Sequence, residues 1–249
     1  MQETALVTGA PRRIGRAIAT RLAAAGFDVA LHASPRSRDE AWALAKDLAR
    51  MGVRTQVFAA DLADPDAPAS LITEAEAAFG PLSLLVNNAS IFEPDAPDAL
   101  DPLRWDRHFA INLRAPVLLS SEFARRCAPP RKAAIVNIAD QRVLRLTPRY
   151  FSYTLAKSAL WTATQTMAQA YAPHIRVNAV GPGPVLPNQN EGHEGFAQEA
   201  ASVPLEHAVA PEDIAEAVLY LARARSVTGQ MICVDSGQHI AWKTPDATL

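Results

Sequence analysis

Short apolar runs alternate with amphipathic stretches along nearly the whole chain. Seven runs are apolar on both faces and predict strands: residues 4–8, 28–32, 55–59, 82–87, 133–139, 176–180 and 231–235. Strands that are apolar throughout, rather than at every second position, are typical of a sheet covered on both sides.

Helical periodicity fills the spaces between these runs. In the first helix, Ile14, Ala17, Ile18 and Leu22 recur at helical spacing and Gly26 ends the pattern. The predicted helices cover residues 14–25, 38–51, 66–79, 103–127, 152–171 and 211–223. Strand and helix in turn predict an α/β fold, a single doubly wound Rossmann-like domain over residues 1–249 with a mainly parallel seven-stranded sheet.

One long stretch, residues 181–210, has no clear periodicity. An irregular segment of that length in a compact domain is usually functional, so residues 183–210 or thereabouts are expected to cover the substrate as a lid.

Composition narrows the class of protein. Of 249 residues, 49% are hydrophobic and 20% charged, and the net charge is −2, which indicates neither a nucleic-acid partner nor a membrane partner. Cys127 and Cys233 lie far apart, which argues against a disulfide framework or a metal centre and suits a reducing compartment. The first residues show no secretory signal, so a cytoplasmic location is expected.

The stretch TGAPRRIG, residues 8–15, joins the first strand to the first helix. Gly15 permits close packing of helix on strand, and the helix N-terminus offers free N–H groups to a pyrophosphate. A tight turn without a ligand is the simpler alternative, because the GxGxxG pattern is incomplete.

The end of the second strand favours NADPH. An NAD site places a carboxylate there, but the segment 31–37 has none and the first acid is Asp39. Arg36, Ser37 and Arg12 are suited to surround a 2′-phosphate, since the guanidinium fork binds phosphate in bidentate fashion. A solvated basic loop is the alternative interpretation.

The stretch YFSYTLAK, residues 150–157, places Tyr153 and Lys157 on one helical face. A phenol has a pKa near ~10 and is a poor acid–base catalyst at neutral pH. A neighbouring ammonium is expected to lower that pKa.

These features resemble the short-chain dehydrogenase/reductase superfamily over nearly the whole chain. The matching segments are 8–15, Asp61-Leu62, Asn87-Asn88-Ala89, Asn112, Tyr153 with Lys157, Pro182-Gly183, and 227–235. The resemblance implies hydride transfer with NADP(H).

The resemblance also implies roles for single residues. Tyr153 would be the general acid, Lys157 would bind the nicotinamide ribose, and Asn112 would hold a proton-relay water. Asn112 as an ordinary polar helix residue is the alternative. The implied cofactor contacts are Gly9, Arg12, Arg13, Ile14, Gly15, His32, Arg36, Ser37, Asp61, Leu62, Asn88, Ala89, Ser90, Tyr153, Lys157, Pro182 and Gly183.

Two positions depart from the usual pattern of the superfamily. Arg13 stands where a glycine is usual, and Asp140, thirteen residues before Tyr153, stands where a serine is usual. An ionised carboxylate cannot donate to a developing oxyanion, so ketone reduction is disfavoured, whereas an Asp–Tyr pair is suited to supply a proton to a ring nitrogen. Alternatively, Asp140 only orders residues 141–149 through backbone N–H groups.

Both departures resemble the pteridine and dihydromonapterin reductase branch. That likeness implies a flat heterocycle stacked on Phe92, with Ser90, Arg13, Asp140 and Tyr153 as further substrate contacts; Phe92 as a simple core residue is the alternative. The sequence therefore predicts a homotetrameric NADPH-dependent reductase of a dihydropterin-like substrate. A general carbonyl or 3-oxoacyl reductase is the second hypothesis, and a non-catalytic NADPH-binding regulator is the third.

Overall fold

The computed structural model describes residues 2–187 and 192–242. Seven strands form one sheet in the order β3-β2-β1-β4-β5-β6-β7, and every pairing is parallel. The strands are β1 (Thr4–Val7), β2 (Asp28–Ala33), β3 (Thr55–Ala59), β4 (Leu84–Asn87), β5 (Ala133–Ile138), β6 (Ile175–Pro182) and β7 (Met231–Val234). The predicted Rossmann-like architecture is confirmed.

Helices cover both faces of this sheet. They are α1 (Arg13–Ala24), α2 (Arg38–Ala49), α3 (Ala67–Phe79), α4 (Pro102–Phe109), α5 (Ala115–Arg126), α6 (Phe151–Tyr171), α7 (Gly192–Ser202) and α8 (Pro211–Arg223). One core cluster joins α1, α2 and α8 to the sheet, and a second joins α3, α5 and α6 to its other face.

Alternate residues of a strand enter these two clusters. In β1, Ala5 and Val7 lie in the first cluster and Leu6 in the second, and all three are fully buried. Successive side chains of a strand point to opposite faces, so a strand that is covered twice must be apolar at every position. This explains why the strands could be predicted from continuous apolar runs rather than from alternating apolar and polar positions.

The helix predicted over residues 103–127 differs from the one observed. A π-helical turn, Ala110–Arg114, separates α4 from α5. Pro116 lacks an N–H and cannot make the α-helical hydrogen bond to the carbonyl of Asn112, so the ladder changes register there. The break holds Asn112 inside the bend, where it is fully buried.

The stretch 181–210 also differs from expectation, because it contains the helix α7. Its residues 194–201 include Glu, Ala and Gln, which are good helix formers, but they show no clear hydrophobic periodicity. Within the part of the chain that the structure describes, no helix is long and apolar enough to cross a membrane.

The first turn depends on a glycine that no other residue replaces. A Cβ on Gly15 would lie 2.1 Å from the carbonyl oxygen of Gly9 and 2.7 Å from Nδ2 of Asn88. Real Cβ atoms do not approach backbone this closely, so α1 and β1 would have to separate.

We therefore expect Gly15→Ala to lower the free energy of unfolding by about 2 kcal/mol or more and to weaken NADPH binding, because the turn that faces the cofactor moves. Chemical denaturation and cofactor titration measure the two effects. Gly26→Ala is the control. Gly26 has φ +92°, and nothing lies within reach of an added Cβ, so this variant should lose only about 1–2 kcal/mol of stability through backbone strain and should keep its NADPH affinity. NADPH affinity equal to that of the unmutated protein in Gly15→Ala would contradict this account.

Candidate active site

A cavity of about 520 Å³ opens where the carboxyl ends of the strands meet. Ligands bind at this edge in doubly wound sheets. Its walls include every residue predicted to contact cofactor or substrate except Arg36, together with the predicted catalytic residues Tyr153, Lys157 and Asp140. The predicted residues thus lie around one cavity, while Asn112 supports its wall through the Ser90–Ile91 segment and Arg36 is exposed. Their roles stay a prediction.

The glycine turn is tied to the end of β4 by hydrogen bonds. Asn88 donates from Nδ2 to the carbonyl oxygens of Thr8 (2.8 Å) and Gly9 (3.1 Å), and Thr8 Oγ1 accepts from the N–H groups of Asn88 and Ala89. Gly9 has φ +62°, a conformation that favours glycine. These bonds hold the turn open for a ligand without using the N–H groups at the start of α1.

His32 ties the same turn to the ends of β2 and β3. Its Nδ1 accepts from the N–H of Gly9 at 3.2 Å, so Nε2 carries the proton and donates to the carbonyl of Ala60 at 3.1 Å. Burial lowers the pKa of His32 to about 4, which keeps the ring neutral at physiological pH. His32 therefore shapes the cofactor end of the cavity as a neutral bridge.

The two arginines of the first turn face different partners. Arg12 lies on the surface and pairs with Glu40, which raises the pKa of Arg12 and lowers the pKa of Glu40. Arg13 has φ +50° and donates to the carbonyls of Leu186 (3.0 Å) and Pro187 (2.9 Å). Arg13 thus joins the cofactor turn to the segment that follows β6.

The end of β2 offers hydroxyls and no carboxylate. Ser34 and Ser37 line the cavity, and their Oγ atoms lie 3.0 Å apart at the start of a short 3₁₀ turn, Pro35–Ser37. Among the described residues of this strand end, no acid lines the cavity. The arrangement suits a phosphate and not a pair of ribose hydroxyls.

Tyr153, Asp140 and Lys157 form the chemical centre of the cavity. The Tyr153 hydroxyl donates to Oδ2 of Asp140 at 2.7 Å, and Oδ1 of Asp140 accepts from the N–H of Arg142 at 2.8 Å. Lys157 donates from Nζ to the carbonyl of Ile138 at 2.7 Å. Asp140 lies two residues beyond the end of β5, and Tyr153 and Lys157 lie on α6.

The pKa of Tyr153 is raised well above 10, by burial first and then by Asp140. The expected lowering by Lys157 is not found, because the ammonium is directed to the carbonyl of Ile138 and the carboxylate lies nearer the phenol. Burial also lowers the pKa of Lys157 to about 8. The phenol is therefore protonated at neutral pH, and its raised pKa makes it a weaker acid than an ordinary tyrosine.

Asn112 uses all of its side-chain hydrogen-bonding capacity. Oδ1 accepts from Ser90 Oγ and from the N–H of Ile91, both at 3.0 Å, and Nδ2 donates to the carbonyl of Ile91 (3.0 Å) and to Nδ1 of His108 (3.1 Å). The side chain thus fixes the Ser90–Ile91 segment. His108 is fully buried, and sequence reasoning missed it although its spacing of four from Asn112 was visible.

Phe92 lies beside Tyr153. Its ring stacks on Tyr150, with centroids 3.9 Å apart, and meets Tyr153 edge-on at 4.7 Å. The guanidinium of Arg142 lies 5.4 Å from the centroids of both Phe92 and Tyr150. Phe92 is half-buried and lines the cavity, so a part of its ring remains for a ligand.

Several cavity residues were not found from the sequence. Those with polar or aromatic side chains that come from other parts of the fold include Arg142, Phe196, Glu199 and Gln238. Phe196 and Glu199 come from α7, which the sequence did not predict, and Gln238 comes from the turn after β7. No local motif marks them, because they reach the cavity only through the tertiary fold.

Cys233, Asp235 and His239 form a cluster whose donor atoms lie within 4.8 Å of one another. Asp235 already accepts from the N–H of Gly237 (3.1 Å) and, at 2.7 Å, from the N–H and from Nδ1 of His239. These bonds account for the cluster as a turn that closes the chain after β7.

Known proteins share this architecture. The family model described as enoyl-(acyl carrier protein) reductase matches residues 9–239. A short-chain type dehydrogenase/reductase from Picea abies is 35% identical over 94% of this chain and 91% of its own length. The chain belongs to the short-chain dehydrogenase/reductase superfamily.

Other relatives of this superfamily member carry more specific names. The 3-oxoacyl-[acyl-carrier-protein] reductase FabG of Staphylococcus aureus (strain Mu50) is 31% identical and covers 96% of this chain and 99% of its own length. The crystal structure of FolM alternative dihydrofolate reductase 1 from Brucella canis, complexed with NADP, is 46% identical, with a TM-score of 0.94 and coverage of 98% and 96% of the two chains. The protein is an NADP-dependent oxidoreductase.

The pKa of Lys157 predicts an alkaline limit to cofactor binding. Above a pH of about 8 the ammonium loses its proton. If Lys157 donates to the ribose hydroxyls, as the superfamily resemblance implies, NADPH affinity should fall as the pH rises through that value. Asp140 raises the pKa of Lys157, so Asp140→Asn should move the limit to lower pH. NADPH titrations from pH 6 to 10 would measure both; an unchanged limit in Asp140→Asn would contradict the coupling.

Proposed function

We propose that this enzyme transfers a hydride from NADPH to a C=N bond of a dihydropterin-like heterocycle, with Tyr153 as the general acid. The observation that carries the proposal is the 2.7 Å hydrogen bond from Tyr153 to Asp140. A carboxylate at this position would repel the negative charge that develops on a ketone oxygen. A ring nitrogen needs a proton instead, and the Tyr153–Asp140 pair is built to deliver one.

The reaction balances with one proton from solvent. NADPH, when bound, would supply the hydride to the imine carbon and leave as NADP⁺. The C=N π electrons would form the new N–H bond with the phenol proton of Tyr153, and Asp140, which already accepts the hydrogen bond of the phenol, would return a proton from water to the tyrosinate. Lys157 would hold the ribose of the cofactor, and Asn112 keeps the Ser90–Ile91 wall of the cavity in place for this relay.

The substrate end of the cavity supports a flat ring. Phe92 offers an aromatic surface next to Tyr153, and Ser90 offers a hydroxyl at the same wall. Arg13 reaches from the cofactor turn toward this end. The name of the FolM relative, an alternative dihydrofolate reductase, supports the same class of substrate.

The FabG relatives favour a second candidate, a carbonyl or 3-oxoacyl reductase. The same Tyr153 and Lys157 would serve it, but Asp140 would have to be protonated to donate to the carbonyl oxygen. A non-catalytic NADPH-binding regulator is a third candidate, which the intact Tyr153 and Lys157 disfavour. NADPH binding without turnover across pterins and ketones would revive it.

We also expect a homotetramer in the cytoplasm. Leu103 and Leu118 of the α4–α5 pair and Leu155 of α6 are exposed apolar side chains that association would cover. Both cysteines are unpaired thiols, which suits a reducing compartment.

Asp140→Ser tests the substrate class. Serine restores a neutral donor for a carbonyl oxygen and removes the relay to a ring nitrogen. The ratio of ketone to dihydropterin turnover should therefore rise by about tenfold or more, because one hydrogen bond to a charged group is worth about 1.5–3 kcal/mol. Steady-state rates with both substrates measure it. Tyr153→Phe is the control, because it should abolish both activities and keep NADPH binding. A ratio that stays constant in Asp140→Ser would mean that Asp140 only orders residues 141–149.

The preference for NADPH over NADH tests whether Arg12 and Arg36 bind the 2′-phosphate of the cofactor. NADPH should bind more tightly than NADH, and Arg12→Ala should narrow this gap by roughly ten- to a hundredfold through loss of one phosphate contact. Arg12 lines the cavity and Arg36 does not, so Arg36→Ala should have the smaller effect. The dissociation constants of NADPH and NADH are measured for the unmutated protein and for both variants. Equal affinities for the two cofactors in the unmutated protein would exclude a 2′-phosphate site.

A further inference from the structure

The side of the cavity formed by α7 and the turn after β7 contains a further carboxylate, Glu199, to which neither the sequence motifs nor the catalytic scheme assigns a role. Glu199 and Phe196 both line the cavity, and their spacing of three places them on one face of α7. The helix α7 therefore presents an aromatic ring and a carboxylate side by side to the same space.

Glu199 is fixed in direction by a single neutral donor. Nε2 of Gln238 donates to Oε1 of Glu199 at 2.9 Å. Gln238 is itself 9% exposed, and its backbone carbonyl accepts from Arg145 at 3.2 Å. The side-chain amide of Gln238 thus anchors one oxygen of Glu199 to the turn after β7. Because a carboxylate is planar and rigid, this anchor also restricts where the second oxygen lies.

The charge of Glu199 is not matched by a cation. Among residues 2–187 and 192–242, no arginine, lysine or histidine forms an ion pair with it, and its other oxygen accepts no hydrogen bond. A half-buried carboxylate in a ligand cavity without a cation has free acceptor capacity, and desolvation of that oxygen costs free energy unless a ligand donates to it.

Two adjacent N–H donors would satisfy this carboxylate best. A carboxylate accepts parallel N–H bonds in the manner that it accepts an arginine fork. The 2-amino group and the ring N–H of a 2-amino-4-oxo-pyrimidine edge have this spacing. Asp140 is already engaged by Tyr153 and the N–H of Arg142, so it serves the reacting side of the ring and not this edge.

We infer that Glu199, oriented by Gln238, is the specificity residue that binds the amino-pyrimidinone edge of the substrate. This assignment rests on the proposed pterin-reductase function and adds to it which edge of the heterocycle is recognised and by which helix. The site then selects 2-amino rings and rejects rings that carry a 2-oxo group, since two facing acceptors repel each other.

Glu199→Gln tests this assignment by reversing the recognition. Glutamine keeps the shape of the side chain and brings an NH₂ donor that a 2-oxo group accepts. The probes are pterin, which has the 2-amino group, and lumazine, which has a 2-oxo group in its place. Their dissociation constants are measured on the enzyme–NADP⁺ complex by the fluorescence of the pteridines.

We expect the unmutated enzyme to bind pterin at least about tenfold more tightly than lumazine. In Glu199→Gln, pterin should weaken by roughly ten- to a hundredfold and the preference should move to lumazine, while NADP⁺ affinity stays constant. Glu194→Gln is the matched control, because Glu194 lies exposed on the same helix and does not line the cavity. Gln238→Leu should lose part of the pterin preference without gaining lumazine affinity.

A pterin-to-lumazine ratio that is the same in Glu199→Gln and the unmutated enzyme would overturn the assignment. If dihydropterin is still reduced in that case, the proposed function stands and only the role of Glu199 is wrong. If pterin binds with the predicted ratio but dihydropterin is not reduced, the role of Glu199 stands and the proposed reaction fails. Failure of the unmutated enzyme to bind either probe would overturn both.

Discussion

A buried chain of amides and hydroxyls sets the position on which the cavity depends, that of α6 against β5. Asn87 donates to Oδ1 of Asn137 at 2.8 Å, and Asn137 donates to Thr164 on α6 at the same distance. These side chains are 2% exposed or less, so misplacing any of them leaves an unpaired polar group without water, which costs about 1–3 kcal/mol. These hydrogen bonds thereby fix the register between β5, which leads to Asp140, and α6, which carries Tyr153 and Lys157.

That register brings a carboxylate to a phenol, and the electrostatic consequence is that the phenol keeps its proton. Burial and Asp140 both raise the pKa of Tyr153, so the neutral phenol is the stable form. A raised pKa also makes the phenol a weaker acid, so release of its proton depends on a substrate atom basic enough to take it. Asp140 in place of a serine thus changes more than the polarity of one wall: it holds the proton on the tyrosine, although the same groups serve hydride transfer in both directions.

The fold and the strand-end residues were legible from the sequence, because both depend on short-range patterns. Apolar runs covered twice, the glycine turn and the Tyr153–Lys157 spacing are local, and each appears where it was expected. What the pattern missed depends on tertiary contacts. The Arg12–Glu40 pair joins two elements, His108 acquires its partner only through the helical bend at Ala110–Arg114, and Glu199 reaches the cavity on a helix whose sequence has little amphipathic character.

The pKa of Tyr153 was predicted with the wrong sign for the same reason, because it depends on tertiary contacts. The spacing of four residues placed an ammonium near the phenol and predicted a lower pKa, but spacing does not say where a flexible lysine side chain points. In the fold, Lys157 donates to the carbonyl of Ile138 while the shorter Asp140 side chain reaches the hydroxyl. If the cofactor ribose takes up the Lys157 ammonium, as the superfamily resemblance implies, the ammonium would leave that carbonyl. The pKa of Tyr153 would then depend on whether NADPH is bound, and proton delivery would be tied to the presence of the hydride donor.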